Sequence, residues 1–242
     1  MTNWNLLPWD SDFFGFTVAR IEAPQPDELA KTVTAMATYG VVLAYWSVDP
    51  EDVAANAAAA SAGAFLADRK VTYAINADDM RRRHDSLLSV GIEEYASAEP
   101  APELVQLALG AGIYSRFLVD PRMPSTVFPK LYTIWIRSSV NKTIADAVYV
   151  ARDAGRIVGM VTVGEKLGRG DIGLLAVDPA TRGRNLGLAL VARAQEWALD
   201  RGYAVAQVVT QGANAGACRF YEKCGYRIDR VENIYHFWMD QR

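Results

Sequence analysis

The sequence predicts an α/β protein in two parts, a smaller N-terminal α/β domain over residues 1–85 and a larger α/β domain over residues 86–242. Three observations lead there. Apolar strand-like runs alternate with helix-like segments through the first part. A charged stretch at 78–84 lacks apolar periodicity and marks a boundary within 76–92. Beyond it, three strand-like runs are followed by a strongly amphipathic helix at 186–201.

Taken in order, Trp9-Asp10-Ser11-Asp12-Phe13-Phe14-Gly15 reads as a turn, feeding a strand through Phe16, Val18 and Ile21 that Pro24 and Pro26 end. Residues 27–38 read as a helix and 41–48 as a buried strand. An alanine-rich helix is expected at 50–62, with acids in its first turn, then a strand at 65–75. In the second part helices are expected at 101–115 and 124–140, and strands at 147–150, 156–163 and 171–177. After the 186–201 helix come a strand at 205–210, a helix at 214–224 and a last strand at 226–239.

Bulk properties exclude several classes of function. With 51% apolar and 22% charged residues, the 242-residue chain has the makings of folded cores rather than disorder. A net charge of -3 gives no basic field for gripping nucleic acid, and Arg81-Arg82-Arg83 reads as a solvated face. No basic-then-apolar leader opens the chain, and no apolar run nears the roughly 18 residues that cross a bilayer, so a cytoplasmic protein with no membrane partner is expected. Cys218 and Cys224 cannot build a disulfide framework and are read as reduced. His84 and His236 have no close Cys, Asp or Glu cluster, so no metal site is expected. Apolar strand edges leave room for a homodimer.

The stretch that carries chemistry is Leu174-Leu175-Ala176-Val177-Asp178-Pro179-Ala180-Thr181-Arg182-Gly183-Arg184-Asn185-Leu186-Gly187-Leu188. It sets an apolar strand, a proline-containing turn and a loop directly ahead of a helix. Unpaired N–H groups and the dipole at a helix N-terminus favour a phosphate. Gly183 and Gly187 would let backbone approach it, and Arg182 and Arg184 could add charge. A plain turn with a solvated cap is the bland alternative.

This stretch resembles motif A of the Gcn5-related N-acetyltransferase superfamily, Arg/Gln-x-x-Gly-x-Gly/Ala after a strand ending in Val-x-Pro, with Asn185 where a glycine is usual. Asparagine tolerates the left-handed backbone that such a position asks for. The resemblance continues through Asn214-Ala215-Gly216-Ala217-Cys218-Arg219-Phe220-Tyr221-Glu222-Lys223-Cys224-Gly225-Tyr226, which is similar to the superfamily's Asn-x-x-Ala-x-x-x-Tyr-x-x-x-Gly-Phe/Tyr segment. It implies a mixed, mostly antiparallel sheet, and acetyl-CoA as acyl donor. Leu175, Ala176 and Val177 would lie beside pantetheine along a splayed strand. Residues 182–188 would hold the pyrophosphate, Asn214 would touch the pantetheine arm, and Tyr221 would sit near the acetyl sulfur. A phenol with pKa near 10 suits a general acid that protonates a departing thiolate. For the general base, Asp171, Glu165 and a water chain all stay open.

A narrower resemblance involves the Trp9 to Gly15 stretch, Ser115-Arg116-Phe117, Asp120, Pro124, Phe128, Leu131, Tyr132 and Trp135. These residues resemble the dTDP-fucosamine acetyltransferases, two-domain members that acetylate the 4-amino group of a nucleotide-linked deoxysugar. That implies a nucleotide-sugar acceptor, with Arg116 pairing with the diphosphate and Phe117, Tyr132 and Trp135 at the acceptor site. Phe128, Leu131, Tyr132 and Trp135 also have the i, i+3, i+4, i+7 spacing of a core stripe. Two alternatives remain: acetylation of another small amine or a protein N-terminus, and a non-catalytic acyl-CoA-binding module.

Overall fold

The computed structural model describes residues 3–22, 24–83 and 91–239. Two compact units emerge, Met1–Lys70 with Val231–Arg242, and Val71–Arg230. The expected junction at 85/86 lies outside the described residues, as does His84.

The first unit begins with β1 (Trp4–Leu6), α1 (Pro8–Phe14) and β2 (Val18–Ile21). The turn expected at 9–15 is a helix. Pro8 opens it, Gly15 closes it at φ 76, and Ser11 bonds the Leu7 carbonyl and accepts the Val18 N–H at 2.9 Å. Next come α2 (Leu29–Tyr39), β3 (Leu43–Val48) and α3 (Val53–Ser61). β1 pairs antiparallel with β2, β2 parallel with β3, and β3 antiparallel with β10 (Arg227–Trp238). The core gathers Leu29 and Met36 of α2 and Ala55 and Ala59 of α3 against Trp46, Val48 and Phe237. Asn56 locks α3 in place: its Nδ2 donates to the Asp49 and Asp52 carbonyls, while its Oδ1 accepts from Asn233 and Tyr235.

The boundaries between units fall within β4 (Phe65–Asn76) and β10. After β4, the charged stretch that lacks apolar periodicity and marks the expected boundary is helix α4 (Ala77–Arg83). Asn76 accepts the Asp79 N–H at 2.8 Å as a cap, Asp78 pairs with Arg81 and Asp79 with Arg82 one turn on, and Met80 is buried. The second unit continues with β5 (Ile92–Glu94), α5 (Pro102–Ala111), α6 (Arg116–Val119), α7 (Val127–Val140) and β6 (Ala147–Asp153). Then come β7 (Arg156–Lys166), β8 (Arg169–Val177), α8 (Leu186–Asp200), β9 (Val205–Gln211) and α9 (Ala215–Lys223).

Strands β5 to β8 form an antiparallel run, β9 pairs parallel with β8, and β4 neighbours β9 on its other side. The sheet is therefore mixed and mostly antiparallel. Leu104, Leu107, Ile136 and Val140 of α5 and α7 cover Val148, Val150 and Met160. Helix α8 packs where the strands carry glycine: a Cβ on Gly159 would come within 3.0 Å of Leu190, and one on Gly170 within 2.8 Å of Ala198.

Gly112, just past α5, has the ring of Tyr132 in the space its side chain would fill. Gly112→Ala should destabilise the protein by about 1–3 kcal/mol through overpacking. Gly110→Ala, whose Cβ meets open space within α5, should be neutral or stabilising. Paired thermal-unfolding measurements check this contrast.

Candidate active site

The site begins with an irregularity in β8. Val163 faces Ile172 and Val161 faces Leu175, so Gly173 and Leu174 together oppose Thr162. Thr162 is buried, and its hydroxyl oxygen accepts the Leu174 N–H at 2.8 Å. A Cβ at position 173 would stand 2.8 Å from that oxygen, which is why the position is glycine. The extra residue reverses the alternation of faces. Gly170 looks at α8 before it, whereas Leu174 and Ala176 pack with the α5/α7 core after it.

Past this point β8 and β9 part. Their parallel register stops at Ile172↔Val208, though β8 runs to Val177 and β9 to Gln211. The Asp178 N–H donates to the Val158 carbonyl at 2.8 Å, which makes 178/158 a hydrogen-bonded pair. Antiparallel alternation then turns the N–H and C=O of Val177 and Leu175 away from β7, toward the side where β9 no longer pairs. Ala176, grouped with them in the sequence, instead spends its backbone groups on Met160 of β7.

The loop after β8 ends in a helix N-terminus. Asp178 accepts the Ala180 N–H, Gly183 has φ 83, and Asn185 takes a left-handed φ of 58 directly before α8. Ala189 donates to the Asn185 carbonyl, so the N–H groups of Leu186, Gly187 and Leu188 precede the first intrahelical bond. Leu186 is buried against Ala151 and Val158 and has only its backbone to offer. Gly187 serves packing: its missing Cβ leaves room for the Phe220 ring, 3.3 Å away.

The two loop arginines differ. Arg184 binds Asp153 through two bonds of 2.6 and 3.3 Å, and this guanidinium holds the Asp153 carboxyl below its ordinary range. Arg182 is exposed; its backbone N–H donates to the Pro179 carbonyl at 3.4 Å, and no hydrogen bond or ion pair engages its side chain among the described residues.

Helix α9 is capped by Asn214, whose Oδ1 accepts the Ala217 N–H at 3.1 Å, leaving the amide nitrogen as its contact group. Tyr221 is buried, with its ring among Phe220, Tyr226 and Tyr73 at centroid distances of 5.5, 6.0 and 6.1 Å. Burial pushes its phenol well above the ordinary value, with Cys224 and Cys218 adding to the effect, so it is protonated at neutral pH. Both cysteines are free thiols. Of the carboxylates considered as base, Glu165 accepts the Gly168 N–H in the β7–β8 turn. Asp171 accepts from Gln207 at 2.9 Å; burial raises its carboxyl and the Gln207 bond opposes the rise.

The residues expected at the acceptor site do come together, largely as core. Phe117 lies edge-on to Trp135, Trp135 contacts Tyr132 and Tyr132 contacts Phe128, at centroid distances of 6.4, 4.8 and 4.8 Å. Phe117, Phe128, Leu131 and Tyr132 are buried, and Tyr132 is sealed against Gly112. Tyr132 and Phe117, expected at the acceptor site, are thus packed largely into the core. Trp135 is half-buried, and the Arg116 guanidinium sits 4.4 Å from the Phe117 centroid.

Thr162, Gly173 and Tyr73 were not legible as site residues. Glycine beside a strand leucine pair hints at a bulge, but nothing local ties Tyr73 to a helix so far along the chain.

These features accord with known proteins. The acetyltransferase (GNAT) family profile matches residues 113–226. The chain is 30% identical over 237 residues to dTDP-fucosamine acetyltransferase of Escherichia coli O6:H1, covering 92% of each. It is 26% identical over 138 residues to the spore coat polysaccharide biosynthesis protein SpsD of Bacillus subtilis, and that match spans 56% of this chain and 46% of that protein. Among solved structures, a GCN5-related N-acetyltransferase from Sphaerobacter thermophilus superposes with a TM-score of 0.64 at 16% identity, covering 98% of this chain and 76% of that one. One from Kribbella flavida gives 0.60 at 17%, covering 91% and 80%. The likeness in fold, the family profile and the near full-length relative place the chain in the acetyltransferase (GNAT) family, as an acyl-CoA-dependent N-acetyltransferase with acetyl-CoA as its donor.

Proposed function

We propose that this enzyme acetylates the 4-amino group of a dTDP-linked 4-amino-4,6-dideoxyhexose, in the cytoplasm, for surface polysaccharide synthesis. The observation that carries the reading is the 30% identity to dTDP-fucosamine acetyltransferase along 92% of both chains; the similarity to a protein named for spore coat polysaccharide biosynthesis agrees with it. Among the described residues no helix is long and apolar enough to cross a membrane.

The geometry fits acetyl-CoA. The outward backbone groups of Leu175 and Val177 would bind the pantetheine arm as an added strand edge does, with the Asn214 amide beside it. The N–H groups of Leu186, Gly187 and Leu188 would hold the pyrophosphate at the positive end of α8, around the backbone bend of Gly183 and Asn185. Arg182 would supply the mobile positive charge, while Arg184 fixes the loop through Asp153. Tyr221 would deliver its hydroxyl proton to the departing sulfur. Holding amine and thioester together supplies much of the acceleration, since orientation is worth roughly 7–11 kcal/mol. Arg116 would pair with the acceptor's diphosphate, with the exposed part of Trp135 near the sugar; Asp171, its carboxyl raised by burial, stays open as the base, alongside Glu165 and a water chain.

Tyr221→Phe should bind acetyl-CoA nearly normally while turnover falls at least about tenfold. Because burial raises the phenol, kcat of the native enzyme should not decline on the alkaline side below about pH 10. Steady-state kinetics across pH check both; full turnover by the variant would sink the acid role. Arg182→Ala should raise the acetyl-CoA KM about tenfold and Arg184→Ala by less, as read from acetyl-CoA titrations. Thiol release with a panel of dTDP-4-amino-4,6-dideoxyhexoses, free hexosamines, polyamines and peptides should show turnover confined to the nucleotide sugars. Turnover on peptides or polyamines alone would overturn the acceptor.

A further inference from the structure

Tyr221 has a second buried phenol beside it, supplied by β4, well upstream of the stretch that the family profile matches. Tyr73 is 1% exposed, and its ring centroid lies 6.1 Å from that of Tyr221 at an interplanar angle of 39°. Its hydroxyl donates to Glu222 Oε1 at 3.1 Å. Glu222 is the residue after Tyr221 on α9 and its side chain is otherwise exposed.

The consequence follows from the shape of α9. The helix has nine residues; Asn214 caps its start, and Gln195 donates to the Cys224 carbonyl at its end. Those bonds hold the two ends along the axis. A tyrosine hydroxyl stands about 9 Å from a helix axis, counting the helix radius of about 2.3 Å, so turning the helix by about 10° displaces it by about 1.5 Å. Misplacement of about 1 Å at a reacting group can cost about a hundredfold in rate. The Tyr73 bond to Glu222 acts at the level of Tyr221 itself, and the Tyr73 ring closes one side of the space in which the Tyr221 ring lies.

We propose that Tyr73 is a positioning residue for Tyr221: by bonding Glu222 and packing on the Tyr221 ring, it fixes the rotation of α9 and hence the place of the acidic hydroxyl. This rests on the reading of Tyr221 as general acid. Tyr73 touches no reacting atom in this account, and its hydroxyl stays protonated because burial, with Cys218 and Glu222 beside it, raises the phenol above its ordinary value.

The test is a set of variants with acetyl-CoA and the accepted amine, read as kcat and as the acetyl-CoA KM. Tyr73→Phe keeps the ring and removes the bond; kcat should fall about tenfold with KM unchanged. Glu222→Ala should do the same, and Glu222→Gln, which keeps an acceptor oxygen, should recover most of the loss. In a Tyr221→Phe background, Tyr73→Phe should cause no further loss, because the hydroxyl to be positioned is gone. A Tyr73→Phe enzyme with a lowered Tm and an unchanged kcat overturns the proposal, as does a full additional loss in the Tyr221→Phe background. If Tyr73→Phe fails to fold, the exposed Glu222 variants decide alone: equal kcat for Glu222→Ala and the native enzyme overturns it. Full turnover by Tyr221→Phe removes the acid role and this proposal together, whereas a crippled Tyr221→Phe beside a normal Tyr73→Phe removes this proposal only.

Discussion

Where Gly173 and Leu174 share a single partner in Thr162, β8 loses step with β7, and the geometry of the site depends on that loss. A regular strand would have kept the β8–β9 ladder going to the ends of both strands and used every backbone group within the sheet. Here the register with β9 ends at Ile172, and Val177 and Leu175 turn their peptide groups outward. The same shift brings Val177 against Leu186 and leaves Ala176 facing the core. An edge has been opened in the interior of a sheet, at the place where α8 presents its N-terminus.

The chemistry around that edge is divided by burial. The loop ahead of α8, for which phosphate binding is proposed, is exposed and held by ion pairing, Arg184 to Asp153, an arrangement that is inexpensive to hydrate and readily screened. The groups around Tyr221 are aromatic and buried. Tyr73, Tyr221 and Tyr226 are all buried and all have phenols raised by that burial, so the proposed acid is kept neutral where a carboxylate would be costly. Charge is placed where water can reach it, and the proposed proton donor is buried.

Most of the second unit was legible because its signals are local. The 186–201 helix declares itself by period, the strand ahead of it by apolar continuity, and the left-handed backbone at Asn185 by residue type. What escaped is short or non-local. Helix α4 has one buried apolar residue, Met80, and is held by i, i+3 ion pairs that a search for apolar periodicity passes over. Helix α1 carries proline at its start and glycine at its end, yet over so few residues that pattern reads as a turn. The aromatic set on α7 was legible as a stripe, and the stripe proved to be packing for Phe128, Leu131 and Tyr132, because Gly112 admits the Tyr132 ring. Tyr73 meets α9 through sheet order, which no local pattern encodes.

Asn185 holds a left-handed backbone at the place where the superfamily motif that this stretch resembles has a glycine. A glycine there would roam widely in the denatured chain and, to a lesser degree, in a loosened loop, and that freedom is forfeited whenever the loop is ordered. Asparagine forgoes most of that freedom beforehand, at a small steric cost in the folded chain. If the loop holds pyrophosphate as proposed, it is stiffer before any anion arrives, less of the binding free energy is consumed in freezing it, and cofactor affinity would owe something to disorder that the unfolded state never had.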